Sequence, residues 1–399
     1  MFFLIKNLWR YLSYFSRAKK VWTWPRQSEV LIYDEGNSEI LLEYLNPWDP
    51  EVLHVRNEKI NIWIILKAIF KKGNWANAYI DCFIEQVRPR LVITTIDNNT
   101  TFYKISKRHP NIKTLFLQNG TRTYYSDIFE ILEKINSDTL SAFYVDYMLT
   151  FGSAVGERYS RYLKGSVLPT GSIKNNFAQK RNSTQPGVIA FISIWRLGFD
   201  GRSGAFYGDN FFSYEDIWTR PTTLVIQCLM HYARENDKRL MIIPRCSTPE
   251  ILKKEKDYYR KMMGGIEPKF LAAPESYSSY QAVDSAEIVV STDSTLGYES
   301  IARGKKTAIL PIRSILLGLP DKAYGWPVDY QNEGPFWTNK PDSDIFIRIL
   351  DYLFEVSDEQ WKKDIESTNF TSLMEYDPGN TIFQSILEKE LGPPPTLTH

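Results

Sequence analysis

The sequence predicts an α/β protein built from two Rossmann-like domains that face each other across a cleft. Short apolar, β-branched runs alternate with segments of helical periodicity along most of the chain, as in mostly parallel sheets with right-handed crossovers. A polar stretch without apolar periodicity, residues 174–187, separates two such series. Polar side chains follow the strands of both series, at the edge where an open parallel sheet binds ligands. We therefore expect domains at 27–173 and 188–375, preceded by a segment at 1–26 and followed by a helix and tail at 376–399.

The composition indicates a globular protein and disfavours several kinds of ligand. With 399 residues, of which 43% are hydrophobic and 24% charged, the chain has the make-up of a two-domain globular protein. Its net charge of +1 creates no overall field that would attract nucleic acid. The three cysteines and four histidines are not spaced as metal ligands. We therefore expect no metal, no cofactor other than a substrate, and no nucleic-acid partner.

The first 26 residues combine apolar and basic side chains. Lys6 and Arg10 interrupt the apolar core that a secretory signal or a spanning helix would need. On a helix, the apolar residues form one side and the basic residues its edges and end, which fits a helix lying in a membrane interface. The alternative is a first helix packed on the protein body. We expect a cytoplasmic protein, located at the inner face of the membrane if this segment binds lipid.

In the first series, polar residues follow three predicted strands. The strands are Val30–Tyr33, Arg90–Ile96 and Lys113–Leu117. The polar residues after them, including the start of the next helix, are Asp34, Glu35, Asp97, Gln118, Asn119, Arg122 and Asp127. Because the carboxyl ends of parallel strands meet at one edge of a sheet, these side chains should line the cleft. The plain alternative is that each carboxylate caps a turn or a helix.

The second series carries a hydroxyl-rich turn. The run Ile288–Val290 predicts a buried strand, and a helical pattern begins at Leu296. Between them lie four hydroxyls, Ser291, Thr292, Ser294 and Thr295. Hydroxyls and free backbone N–H groups at a helix N-terminus bind anions, although N-capping by Ser or Thr gives the same pattern. Arg245 follows a neighbouring strand, and Asp200 lies in a long Gly-rich loop after Val188–Ser193.

These clusters together suggest the GT-B arrangement of nucleotide-sugar glycosyltransferases. Arg245 and the hydroxyl turn would bind a phosphate leaving group. Glu299, one turn into the helix, would accept hydrogen bonds from a ribose, or is a first-turn glutamate favoured by the helix dipole. Glycosyl transfer also needs a carboxylate at the sugar. The candidates for that role are Asp34, Asp97 and Asp200, with Glu35, Gln118, Asn119, Arg122 and Asp127 on the acceptor side of the cleft.

Several other reactions lack their motifs. The chain has no GxxxxGK[ST] loop, no GxGxxG after the first strand and no GxSxG elbow, which disfavours ATP hydrolysis, dinucleotide-dependent dehydrogenation and serine hydrolysis. The DxD at residues 342–344 directly precedes a predicted helix, where acidic residues are ordinary caps. We therefore expect metal-independent transfer.

The sequence resembles the bacterial surface carbohydrate biosynthesis proteins. The matching motifs lie throughout the chain after about residue 28, and they are IYDEGNSE at 32–39, LQNGTR at 117–122, SSYQA at 278–282, DSTLGYESIARGKKT at 293–307, YGWP at 324–327, GPFWTN at 334–339 and YDPGN at 376–380. The resemblance implies a GT-B-like enzyme that makes capsule, O-antigen or a related envelope glycan.

A more distant resemblance concerns the donor. The hydroxyl turn is similar to the Ser/Thr motif with which bacterial sialyltransferases and β-Kdo transferases hold the phosphate of CMP. The segment Tyr33–Gly36 is similar to the acidic motif that carries the base in sialyltransferases, but it lies earlier in the chain. Where those enzymes have a His-Pro pair, this chain has Pro244 and Arg245. The resemblance implies CMP-Kdo or another CMP-ulosonic acid as donor and Asp34 as base.

Three hypotheses for function follow. The first is a glycosyltransferase that moves a sugar from a nucleotide-activated donor to a polysaccharide or lipopolysaccharide acceptor. The second keeps the fold but changes the reaction to polyol-phosphate transfer or nucleotide-sugar epimerisation. The third is a non-catalytic member of an envelope-glycan assembly complex that contacts the membrane through residues 1–26.

Overall fold

The fold is α/β and consists of two parallel sheets with helices on their faces, the GT-B-like architecture that the sequence predicts. A computed structural model describes residues 18–56, 58–71, 74–181, 183–196, 204–245, 248–271 and 278–394. The strands are β1 Lys19–Val21, β2 Val30–Tyr33, β3 Glu51–Leu53, β4 Lys59–Asn61, β5 Leu91–Thr94, β6 Lys113–Leu117, β7 Tyr144–Thr150, β8 Lys164–Pro169, β9 Gln185–Ile192, β10 Gly204–Tyr207, β11 Asn210–Ser213, β12 Arg239–Ile243, β13 Ala286–Ser291 and β14 Thr307–Ile309.

The helices connect these strands and cover both sheets. They are α1 Glu39–Leu45, α2 Ile62–Ile69, α3 Trp75–Val87, α4 Ile105–Arg108, α5 Ile128–Glu133, α6 Ser137–Leu140, α7 Ser153–Ser160, α8 Ile173–Phe177, α9 Arg220–Glu235, α10 Pro249–Met262, α11 Ser278–Ser285, α12 Thr295–Ala302, α13 Arg313–Leu316, α14 Ser343–Glu355, α15 Asp358–Ser367 and α16 Thr381–Leu391. No helix in the described ranges is both long and apolar enough to cross a membrane.

The N-terminal half is a six-stranded parallel sheet in the order β3-β2-β5-β6-β7-β8. Successive side chains of β2 bury on opposite faces, Val30 and Ile32 on one and Leu31 and Tyr33 on the other, so its run is apolar throughout. Helix α16, from the C-terminal end of the chain, packs on the face of Val30 and Ile32. The predicted C-terminal helix is therefore present, and it belongs to the core of the N-terminal half.

The C-terminal half is a four-stranded parallel sheet in the order β12-β9-β13-β14. One face packs against helices α9, α14 and neighbouring aromatic residues, and the other packs against α11. Strand β13 pairs with β9 on one side and with β14 on the other. The turn that follows β13 is therefore at the centre of the sheet edge.

The connection between the two sheets differs from the prediction. Residues 174–187 were expected to be an irregular linker, but helix α8 covers the first part and β9 begins at Gln185. Before α2, residues 59–61 form the short strand β4, which pairs with β1. Within the long loop after β9, strands β10 and β11 form an antiparallel hairpin. The polar composition of 174–187 concealed the contacts that order it.

A buried ion pair fixes this connection to the C-terminal half. The guanidinium of Arg303, just after α12, forms a two-point ion pair with Asp284, and neither side chain has exposed surface. The same guanidinium donates to the backbone oxygens of Asn175 and Ala178. Because a buried guanidinium needs all its donors satisfied, the connection is held in one position against α12.

We predict that Arg303→Met lowers the free energy of unfolding by about 3–5 kcal/mol, because it leaves the buried Asp284 carboxylate without its counter-charge. Urea unfolding followed by circular dichroism measures the change. The matched control is Arg260→Met, which removes an exposed ion pair with Asp257 and should change stability by less than about 1 kcal/mol. Equal urea midpoints for the two variants would contradict the structural role of Arg303.

Candidate functional site

A cavity of about 620 Å³ lies between the two halves, within the size range of small-molecule sites, roughly 300–1,000 Å³. Its walls come from the loop after β6, from the turns after β9, β12 and β13, and from the segment around the 3₁₀ helix Pro320–Lys322. The carboxyl ends of strands from both sheets therefore meet at one cavity, as the sequence predicts. Five basic and three acidic side chains line it, namely Arg122, Arg196, Arg245, Arg313 and Lys322 against Asp127, Asp293 and Asp321.

The loop after β6 forms the wall from the N-terminal half. Gln118 turns its amide toward the protein, where its Nε2 donates to the carbonyl of Gly120 and its Oε1 accepts from the backbone N–H of Phe151. The loop contacts the opposite half directly, because the backbone N–H of Thr121 donates to Oγ1 of Thr295 at 3.1 Å. This contact joins the two predicted clusters, one from each sheet.

Arg122 is held in the cavity wall by three neighbours. Its guanidinium donates to the carboxylates of Asp97 at 2.8 Å and Asp127 at 3.1 Å and to the side-chain oxygen of Asn119 at 2.6 Å. Burial lowers the pKa of Arg122, but the two carboxylates outweigh this and hold the pKa above its ordinary value. Its Nε is buried and has no hydrogen-bond partner among the described residues. A charged donor is therefore present in the wall with one N–H unused.

Asp97 lies beneath the cavity and not in it. Its side chain has no exposed surface, and its oxygens accept hydrogen bonds from Arg122, from Tyr159 and from the backbone N–H of Asn119. All of its partners belong to the protein, so the carboxylate orients Arg122 and the loop. Asp127 similarly accepts from the backbone N–H of Ile128 and so caps α5.

In the hydroxyl turn after β13, two of the four hydroxyls accept hydrogen bonds from backbone N–H groups of the turn and of α12. Oγ of Ser291 accepts from the backbone N–H of Ser294, and Oγ of Ser294 caps α12 by accepting from Leu296. These two hydroxyls therefore do the capping that the alternative interpretation predicted. Thr292 and Thr295 line the cavity as well. Oγ1 of Thr292 is buried and has no partner within the described ranges, so it is available to a ligand.

Gly297 allows the start of α12 to lie close to β13 and β14. A Cβ at this position would lie 2.5 Å from Cβ of Ser291 and 2.9 Å from Cδ1 of Ile309. Any larger residue would push α12 away from β13 and β14. The glycine in the DSTLGYE motif thus keeps the helix N-terminus at the sheet edge, beside Thr292.

Two arginines lie in the cavity wall without forming an ion pair in the described part of the chain. They are Arg196, after β9, and Arg245, after β12. Burial lowers the pKa of Arg245, the neighbouring charge of Arg196 lowers it further, and the carboxylate of Glu255 opposes both effects. By contrast, Arg313 pairs with Asp293 at 2.6 Å and stacks on Trp218. Two mutually repelling guanidinium groups in one wall favour the binding of an anion.

Asp321 and Lys322 occupy the third wall. Oδ2 of Asp321 accepts from the backbone N–H groups of Tyr124 and Tyr125 at 3.0 Å each, which links the halves a second time. Oδ1 of Asp321 is buried and has no partner in the described residues. Burial lowers the pKa of the adjacent Lys322, and Asp321 opposes this shift. The cavity wall thus contains a buried carboxylate oxygen that has no hydrogen-bond partner in the described residues.

Three further predicted site residues lie away from the cavity. Asp34 is buried at the end of β2, where its oxygens accept from Arg56 and from the backbone of Gly36. Glu35 forms an ion pair with Lys59 on the same side. Glu299 lies in α12, and its side chain is buried against Ser172 and Tyr280. It does not line the cavity, so it is not placed to contact a ribose there. Asp200 lies outside the described residues, and its role remains a prediction.

The chain also matches a known protein family. A family model described as "putative O-antigen biosynthesis protein" matches residues 115–391, more than half of the chain. The chain belongs to this family. The matched range begins in β6 and contains every cavity residue identified above. No curated protein matches the sequence.

Solved structures of similar architecture include three proteins that act on sugars or cell-wall polymers. A glycosyltransferase from Rickettsia africae is 12% identical and has a TM-score of 0.49, with 92% of this chain and 99% of that chain covered. UDP-GlcNAc 2-epimerase from Methanocaldococcus jannaschii, in complex with UDP-GlcNAc and UDP, is 9% identical with a TM-score of 0.48, covering 90% and 99%. The wall teichoic acid polymerase TagF with CDPG is 11% identical with a TM-score of 0.49, covering 92% and 89%. Similarity at this level does not define a ligand or a reaction.

Five charged cavity residues of this O-antigen biosynthesis family member were not chosen from the sequence, namely Arg196, Asp293, Arg313, Asp321 and Lys322. Arg196 follows β9, and Asp293 lies within the hydroxyl turn. The other three lie after the last strand, β14. The nearby YGWP motif, which resembles the surface carbohydrate biosynthesis proteins, was the one available signal in this part of the sequence.

We predict that Glu299→Gln changes the pH dependence of stability. Burial raises the pKa of the Glu299 carboxyl above its ordinary value, and the hydrogen bonds from Ser172 and Tyr280 offset this only in part. A carboxyl with a raised folded-state pKa loses its stabilising contribution as pH rises through that pKa. The variant cannot ionise, so its free energy of unfolding should improve relative to wild type as pH rises above the ordinary pKa of a glutamate.

Urea unfolding at a series of pH values measures this difference. Glu366→Gln, at an exposed position of α15, is the control and should follow the wild-type profile. A constant difference between Glu299→Gln and wild type at all pH values would show that Glu299 does not titrate in the folded protein.

Proposed function

We propose that this protein is a glycosyltransferase that moves a sugar from a nucleotide-activated donor to a surface polysaccharide or lipopolysaccharide acceptor. The observation that carries the proposal is the pair Arg196 and Arg245, which line the cavity and form no ion pair within the described ranges. A nucleotide's phosphate supplies the negative charge that this wall lacks. The family's description, O-antigen biosynthesis, supports a glycan product.

The phosphate would lie between the two arginines and the N-terminus of α12. Oγ1 of Thr292 is the unused hydroxyl at this place, and the N-terminal N–H groups of a helix favour negative charge. As the sugar leaves, charge accumulates on the phosphate, and donors that are already in position stabilise it. Ser291 and Ser294 would act indirectly, because they shape the turn that presents Thr292.

Asp321 is the carboxylate that we assign as general base. Its Oδ1 is free while the backbone of Tyr124 and Tyr125 fixes its Oδ2, so the group is held in one orientation. A base must remove a proton from the acceptor hydroxyl as the sugar is transferred. Asp34 and Asp97, the candidates from the sequence, have their oxygens engaged by protein groups away from the cavity surface.

CMP-Kdo or another CMP-ulosonic acid remains our proposal for the donor, and it rests on the resemblance of the hydroxyl turn. No metal would be required, since Arg196, Arg245 and Lys322 supply positive charge at the phosphate. Nucleotide-sugar epimerisation and polyol-phosphate transfer are the alternatives within the same fold. An epimerase would convert the donor without an acceptor, and a non-catalytic protein would bind no nucleotide.

We predict that Arg245→Ala weakens nucleotide binding about 10- to 150-fold, the effect of losing one or two charge-assisted hydrogen bonds. Isothermal titration calorimetry with CMP, CDP, UDP and GDP measures the affinity for each nucleotide and identifies the preferred nucleobase. Arg348→Ala, which removes an exposed arginine paired with Glu333, is the control and should bind like wild type. Unchanged affinity in Arg245→Ala would place the phosphate elsewhere.

We further predict that Asp321→Asn lowers turnover by about 10²- to 10⁴-fold, the usual contribution of a general base, while nucleotide affinity stays near wild type. The amide oxygen can still accept from Tyr124 and Tyr125, so the wall should keep its shape. Release of nucleotide from the sugar donor that carries the preferred nucleotide measures turnover. Asp34→Asn is the comparison, and a larger loss in that variant than in Asp321→Asn would restore Asp34 as the base.

A further inference from the structure

The N-terminal half has an exposed apolar surface on α2 and the segment before it. Trp63, Leu66 and Phe70 follow one another at helical spacing, and Ile69 flanks them. Phe70 is 87% exposed and Trp22 is 65% exposed, so these side chains are not part of the core. The opposite side of α2, with Ile64 and Ala68, packs on the sheet. We call the exposed set, Trp22, Trp24, Trp63, Leu66, Ile69 and Phe70, the α2 surface.

The α2 surface is continuous and structurally supported. Trp24 stacks on Trp63 with ring centroids 5.7 Å apart. Nε1 of Trp63 donates to the backbone oxygen of Trp22. Strand β1 pairs with β4, which leads directly into α2. The apolar surface is therefore fixed by backbone pairing and ring stacking, and its exposure is a property of the folded chain.

Lysines accompany these aromatic rings. Nζ of Lys67 lies 4.7 Å from the centroid of the Trp24 ring. Lys71, next to Phe70, is paired with Glu85 of α3, and Lys19 is exposed on β1. Protein–protein interfaces are enriched in aromatic residues but depleted in lysine. Tryptophan together with lysine is typical of the boundary between lipid headgroups and acyl chains.

The N-terminal part of the sequence is strongly basic. Residues 1–25 contain five basic residues, Lys6, Arg10, Arg17, Lys19 and Lys20, and no Asp or Glu. The whole chain has a net charge of +1, so residues 26–399 carry a net charge of −4. An anionic surface would attract the N-terminal segment and repel the remainder. The charge distribution therefore favours one orientation of the protein, in which the α2 surface faces the anionic surface.

We propose that the α2 surface docks on an anionic lipid bilayer, with its tryptophans, Ile69 and Phe70 in the headgroup region. Apolar insertion and electrostatic attraction act together in such binding. The proposal concerns the membrane alone and does not depend on the nature of the donor nucleotide.

Vesicle flotation with the full-length protein tests this. Wild type should float with vesicles of equal parts phosphatidylglycerol and phosphatidylcholine, and much less with phosphatidylcholine alone. The double variant Ile69→Ser/Phe70→Ser should lower vesicle binding by about tenfold or more. The control is Ile131→Ser/Ile266→Ser, which removes apolar side chains that are 52% and 58% exposed elsewhere, and it should float like wild type.

Two further measurements complete the test. Urea midpoints equal to wild type show that both double variants are folded, as expected for substitutions at exposed positions. Sedimentation velocity reports self-association. Equal flotation of wild type and Ile69→Ser/Phe70→Ser would overturn the proposal. It would also be overturned if the variant lost self-association while vesicle binding stayed unchanged, because the α2 surface would then contact a second copy of the chain.

Discussion

The buried ion pair between Asp97 and Arg122 is the interaction on which the cavity depends. Asp97 follows the central strand β5 and has no exposed surface, so its charge is tolerated only because Arg122, Tyr159 and the backbone of Asn119 surround it. Through Arg122 it fixes the loop after β6, and this loop contacts Thr295 and Asp321 of the opposite half. The carboxylate thereby sets the distance between the two sheet edges. At the end of its strand, Asp97 therefore supports the loop after β6.

The same division between support and ligand binding recurs in the hydroxyl turn. Ser291 and Ser294 satisfy backbone N–H groups of the turn and of α12, and Gly297 allows the helix to approach the strand. The unused polar atoms of the cavity are Nε of Arg122, Oγ1 of Thr292 and Oδ1 of Asp321, within the described ranges. Buried polar atoms are normally satisfied, so these three around one cavity support our proposal that a polar ligand binds there.

Much of the fold could be predicted from the sequence, because parallel strands buried on both faces leave uninterrupted apolar runs such as Val30–Tyr33. The convergence of residues 118–127 with the turn at 291–295 was also predictable, since strand carboxyl ends share an edge. Sequence could not separate a carboxylate that faces a ligand from one that supports a loop, which is why Asp34, Asp97 and Glu299 were assigned to the site. Asp321 was missed because it does not directly follow a strand, and its place in the cavity wall depends on contacts with Tyr124 and Tyr125, almost 200 residues earlier.

We propose that Arg196, Arg245 and Thr292 bind the phosphate of a nucleotide. A crystal structure of the protein with the preferred nucleotide provides the test. We expect phosphate oxygens within hydrogen-bond distance of Arg245 and of Oγ1 of Thr292, at the N-terminus of α12, with Asp321 beside the space left for the sugar and acceptor. A nucleotide bound outside this cavity, or one whose phosphate contacts neither Arg196 nor Arg245, would contradict it.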